Sequence, residues 1–143
     1  MKRTKRNNKG FSLVELIIVI AIMAILAGVL APQFVKYINR SRKSTDIQNA
    51  QQIATAISAE FADTATTAAI AEQEITDGKA KWNGDTAEGS TARTQQEVLG
   101  GVPKVKAASG NFSYSVSKDG EVTVKVGETE LYPEAKGDWA ESK

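Results

Sequence analysis

Three regimes of hydrophobic patterning follow one another along the chain. Leu16 to Ala31 is a run of 16 residues without one polar side chain. Such a run shows no amphipathic period and predicts a helix that is apolar all round and needs an apolar surround. Counted from Phe11, the segment has 21 residues. At a rise of about 1.5 Å per residue it spans about 31 Å, close to the hydrocarbon core of a bilayer. Pro32 closes the run. Proline has no N–H and clashes with the preceding turn, so a kink is expected at Gly28 and Pro32. No further Gly or Pro occurs between Gln33 and Thr76, and the later helix is expected to be straighter.

After Pro32 the pattern becomes amphipathic. Val35, Ile38, Ile47, Ala50, Ile53, Ala54, Ile57 and Phe61 recur at steps of three and four, with one gap at 41–46. They read as one stripe of a helix reaching to about 62, with Lys36, Arg40, Lys43, Asp46, Gln51, Gln52 and Glu60 on the opposite face. Residues 62–71, rich in Ala and Thr, either extend that helix or open a loop. Thr76-Asp77-Gly78 and Asn83-Gly84-Asp85 are turn signals, and 76–92 reads as irregular with Trp82 as a core anchor. Thr94-x-x-Glu97 followed by Gly100-Gly101 predicts a short capped helix near 93–99. The whole stretch 63–110 is therefore taken as a loop region.

The third regime is strict alternation. Phe112, Tyr114 and Val116 alternate with serines, Asp119-Gly120 intervenes, and Val122, Val124 and Val126 alternate with Thr123 and Lys125. This is a hairpin signal, and all six apolar side chains share one face. A third strand is expected at about 129–132, and Trp139 is expected to dock the tail. The expected fold class is α+β: a long N-terminal helix, apolar in its first half, packed on a small antiparallel sheet at about 111–133.

Composition narrows the function. The chain has 143 residues, no cysteine and no histidine. Disulfides, thiol nucleophiles and cysteine metal sites are excluded, and the commonest general base and metal ligand are missing. No Gly-x-Ser-x-Gly or phosphate loop is present, so the chain does not read as an enzyme, and no cofactor or metal is expected. Asp138, Glu134 and Glu141 in the tail read as solvated surface. Net charge is +1, but five cations lie in residues 1–10 and four in 36–43. From residue 44 onward nine Lys/Arg face sixteen Asp/Glu. An acidic globular part argues against nucleic acid as a partner. Cations before the apolar run hold the N-terminus in the cytoplasm, although those at 36–43 oppose that bias.

An ordinary secretory signal and a plain membrane anchor both fit the apolar run less well. Signal peptides have shorter apolar regions ending in a small-x-small site, and here the candidate site Val29-Leu30-Ala31 is followed by Pro32. An anchor does not explain Glu15, a carboxylate near the end of a membrane helix that costs about 2–3 kcal/mol on insertion scales. Lys9-Gly10-Phe11-Ser12-Leu13-Val14-Glu15-Leu16 resembles the processing and methylation site of type IV prepilins and pseudopilins. The resemblance is close over about residues 5–35 and architectural beyond.

The resemblance implies a leader, residues 1–10, removed between Gly10 and Phe11 by a prepilin peptidase, with N-methylation of Phe11. It implies that Glu15 pairs with the Phe11 amine of a neighbouring subunit, and that the helix melts locally near Gly28 and Pro32 in a filament. A shared filament core also accounts for a helix of such length. The implied function is a structural subunit of a type IV pilus, a helical homo-oligomer. The alternative is a pseudopilin of a type II secretion or DNA-uptake machine. Implied partners are the peptidase, an assembly platform and ATPase, and minor pilins. The implied route runs from the cytoplasmic (inner) membrane to the extracellular surface.

Overall fold

The computed structural model describes residues 10–64, 66–88 and 90–142, with residues 141 and 142 as backbone only. The predicted leader lies outside them, apart from Gly10. The element order is α1 (Leu13–Asp63), β1 (Ile70–Glu74), α2 (Gln95–Leu99), β2 (Phe112–Val116), β3 (Val122–Val126) and β4 (Thr129–Tyr132), followed by a 3-10 turn at Gly137–Ser142. Two compact units divide the chain, one ending at Ile38 and the other beginning at Asn39.

Among the described residues, the first unit is helix from Leu13 onward. Its described residues are all exposed, including Leu13 to Leu30 with their large apolar side chains. The helical assignment runs unbroken through Gly28 and Pro32. Gly28 is four residues before Pro32, where a proline ring presses on the preceding turn's carbonyl. A Cβ built at Gly28 meets nothing within 4 Å, so its place beside Pro32, rather than crowding in the lone chain, is what sets it apart.

The second unit is built on an antiparallel sheet in the order β1-β2-β3-β4. The β2–β3 hairpin follows the alternation: Phe112 faces Val126, Tyr114 faces Val124 and Val116 faces Val122. All six are buried, and with Ile47, Ala50, Ile53, Ala54 and Ile57 of α1 they form the centre of the core. The turn is closed by Gly120 N–H to the Ser117 carbonyl at 3.1 Å. Gly120 sits at φ +82°, a left-handed conformation that glycine adopts without penalty. β4 lies where the third strand was expected, and Trp139 is buried. The arrangement is α+β.

Around α2 the capping box is complete: the Thr94 hydroxyl accepts from Glu97 N–H, and the Glu97 carboxylate accepts from Thr94 N–H at 2.7 Å. Gly100 ends the helix in the left-handed region. Trp82 is buried as expected, and its carbonyl accepts the Tyr114 hydroxyl.

Two expectations are corrected. The stretch read as loop contains β1, paired on β2 with a bulge between Ile70 and Gln73. Only Ile70 of its five residues is buried, so an edge strand held by backbone pairing left no alternation to read. The polar face of α1 was also misplaced. Ile38 and Ile47 are nine residues apart, about 900° of rotation and so half a turn out of phase. They cannot share a stripe. Val35 and Ile38 are exposed, whereas Asp46 and Glu60, assigned to the solvated face, are buried.

The Asp46 carboxylate accepts the Lys106 and Ala107 backbone N–H groups at 2.9 and 2.8 Å. Glu60 meets Arg93 Nη1 at 2.8 Å, and Arg93 also donates to the Glu97 carbonyl. Both acids staple the long connection to α1, because a buried carboxylate persists only where donors meet it.

Burial pushes the Tyr114 hydroxyl up to about 12. Between pH 10 and that value the unfolded chain releases this proton while the native state keeps it. The native state then holds more protons, and stability falls as pH rises. Thermal melts are expected to be level up to about pH 10 for this group and to drop above it. Tyr114→Phe should lose the Trp82 contact but flatten that alkaline limb. An unchanged limb in the variant would assign it to other groups.

Candidate assembly segment at the N-terminus

The first turn of α1 is locally determined. Ser12 precedes the helix, and its hydroxyl accepts Val14 N–H at 3.3 Å. Ser12 N–H donates to Glu15 Oε2 at 2.9 Å, and Leu16 N–H reaches the Ser12 carbonyl at 3.3 Å. Glu15 thus occupies the third helical position and reaches back to a donor that the helix itself leaves unpaired. A carboxylate at a helix N-terminus is also favoured by the helix dipole. The signal was present in the sequence: Ser12-x-x-Glu15 has the same form as Thr94-x-x-Glu97, but the apolar run around it drew the reading elsewhere.

Phe11 is 91% exposed and Gly10 is exposed, with nothing within 4 Å of a Cβ built at Gly10. Among the described residues, nothing outside the neighbouring segment covers the junction between them. Phe11 and Glu15 line one shallow groove with Leu16, Ile18 and Val19. The structure therefore brings these two predicted residues together within one chain. Before cleavage the nitrogen of Phe11 is an amide. Cleavage would turn it into an α-amine with a reference pKa of about 7.7–8.0, mostly protonated at neutral pH. Gly28 and Pro32 lie farther along the same exposed helix.

The segment is long and apolar enough to cross a membrane, and none of its most apolar stretch is buried among the described residues. Two to three kilocalories for Glu15 in such a setting are reduced by the Ser12 N–H contact and by its place at the helix end. Beyond Pro32, Phe34, Lys36, Tyr37, Arg40 and Arg42 are exposed. Lys43 instead turns to the tail, donating to the Asp138 carbonyl at 2.7 Å with Nζ 5.9 Å from the Trp139 ring. Among the described residues no group of three potential metal ligands gathers. The side chain of Glu141 lies outside them.

Residues 5–31 match the model of the prokaryotic N-terminal methylation motif. The chain is similar to the type IV major fimbrial protein FimA of Dichelobacter nodosus, 47% identical over 53 residues, which cover 37% of this chain and 34% of the relative. It is similar to the type IV major pilin protein PilA of Myxococcus xanthus (strain DK1622), 38% identical over 63 residues, covering 44% of this chain and 29% of the relative. The chain thus spans about a third of the length of these two. The prepilin peptidase-dependent protein A of Clostridium perfringens (strain 13 / Type A) is 30% identical over 125 residues, covering 85% of this chain and 88% of that one. No solved structure matches the chain.

Proposed function

The chain belongs to the type IV pilin and pseudopilin family, and from that premise we propose that it is the structural subunit of a surface type IV pilus. A prepilin peptidase cuts between Gly10 and Phe11 and methylates Phe11. The precursor is held in the cytoplasmic membrane by the apolar half of α1. Mature subunits then leave the membrane and pack these helices into an open helical filament. An assembly ATPase, a platform protein and minor pilins are the remaining partners of this reading. The role is structural and needs no catalysis.

The observation that carries the proposal is the uncovered apolar helix beginning at the open Gly10–Phe11 junction. Such a surface is stable only in lipid or against other copies of itself. A head-to-tail contact that does not close on itself gives a filament. Glu15 supplies register: an unpaired carboxylate inside an apolar bundle is strongly unfavourable, so chains favour the stagger that brings a neighbour's Phe11 ammonium to it.

The test is the intact mass of the protein in filaments sheared from native cells. A mass for residues 11–143 plus one methyl group is expected in the sheared fraction. The same cleaved and methylated form confined to membranes would point to a pseudopilin of a secretion or DNA-uptake machine. An uncut chain in every fraction would leave a plain membrane anchor.

A further inference from the structure

We propose that Lys36, Arg40 and Arg42, together with Phe34 and Tyr37, form a collar that seats the membrane-inserted chain on anionic phospholipid headgroups where α1 leaves the bilayer. The inference rests on the reading that the apolar half of α1 spans a membrane.

The collar follows the span directly along one helix. Measured from Ala31 at about 1.5 Å per residue, Lys36 lies about 8 Å beyond the apolar run, Arg40 about 14 Å and Arg42 about 17 Å. A headgroup layer occupies about 5–7 Å of that distance. All three cations therefore lie within about a Debye length of it, and their long side chains can bend back toward it. Phe34 is 65% and Tyr37 71% exposed. Exposed aromatic rings beside the end of a span suit the membrane–water boundary.

Among the described residues the cations have no partner to satisfy them. None of the three makes an ion pair or side-chain hydrogen bond among the described residues. Helix α1 carries no acidic residue between Glu15 and Asp46, and Asp46 is turned into the core. Lys43, by contrast, is already engaged by the tail.

Geometry favours lipid over a second copy as the occupant. At about 100° per residue, Arg42 points about 200° away from Arg40, while Lys36 lies about 40° from Arg40. An acidic patch on one neighbouring subunit faces one side of the helix and meets only part of this set. Headgroups ring an emerging helix and meet every side of it. The cations also sit on the side to which positive charge translocates poorly, an opposing bias that an anionic surface there offsets.

The chain has no cysteine, so a single label reports one place. The full-length protein carrying Ser41→Cys is labelled with an environment-sensitive probe and reconstituted into nanodiscs of phosphatidylcholine, alone or in equal parts with phosphatidylglycerol. A second preparation labelled at Ile20→Cys reports insertion itself. With phosphatidylglycerol the Ser41 label is expected to lose at least about two-fold of its accessibility to an aqueous quencher, because cations near the surface are drawn to anionic headgroups. High salt and the Lys36→Gln/Arg40→Gln/Arg42→Gln variant should each abolish that loss.

An Ile20 label that stays in water would overturn the membrane reading beneath the inference. An inserted helix whose Ser41 label is indifferent to phosphatidylglycerol would overturn the inference alone. So would a lipid effect that persists in the triple variant. A parent chain indifferent to phosphatidylglycerol, together with a triple variant that inserts normally and yet fails to form filaments, would assign the collar to contacts between copies.

Discussion

Glu15→Leu is expected to be cleaved and membrane-inserted normally while its surface filaments all but vanish. The substitution removes one partner of the proposed pair and leaves the Phe11 ammonium buried among apolar helices. Removing one partner of a buried pair costs about 3–5 kcal/mol. That is roughly a hundred- to several-thousand-fold in each addition step, and filament growth compounds it over many steps. Insertion should not suffer, because a charge has left the span. The intrachain contact between Ser12 N–H and Glu15 at 2.9 Å gives the experiment a control. Glu15→Gln preserves a capping side chain at the third helical position but carries no charge. Filaments lost in both variants make the charge the determinant. Filaments restored by Gln make the cap the determinant. Normal yield from Glu15→Leu would dispose of the register role altogether.

Asp46→Ala is expected to cost the globular unit about 2–3 kcal/mol, since the part-buried Lys106 and Ala107 N–H groups lose their acceptor at about 1–1.5 kcal/mol each. For a unit of this size that lowers Tm by roughly 10–15 °C. Both tryptophans of the chain, Trp82 and Trp139, are buried in the second unit. Their emission therefore follows its unfolding without contribution from the apolar helix. Asp46→Asn keeps one oxygen acceptor and turns an amide N–H toward the other donor, so its loss should be substantial but smaller. A melt of Asp46→Ala within a few degrees of the parent would mean that water serves Lys106 and Ala107 in its place.

The proposed assembly segment was the most legible part of the molecule. Its chemistry is carried by consecutive residues, Gly10 to Leu16, and its physical character by an unbroken apolar run. Neither depends on distant parts of the chain. The hairpin at Phe112–Val126 was legible for the same reason: alternation and the Asp119-Gly120 turn are both local. The Thr94–Glu97 cap needed only four residues. The Ser12–Glu15 contact was equally local and was overlooked only because the surrounding residues announce something louder.

What the sequence alone determined is every feature governed by neighbours within a few residues: the apolar helix, the N-terminal methylation motif, the alternating strands and the short capped helix. What the tertiary structure decided is which polar groups lie inside and which backbone edges pair. Asp46 is buried because backbone donors about 60 residues later arrive above it. Ile70–Glu74 is a strand because β2 offers it an unpaired edge. The apolar face of α1 changes side between Ile38 and Ile47 because only the later half has a sheet to cover. Periodicity reports what a segment prefers by itself, whereas burial of a carboxylate or recruitment of an edge strand depends on a partner that the local pattern does not contain.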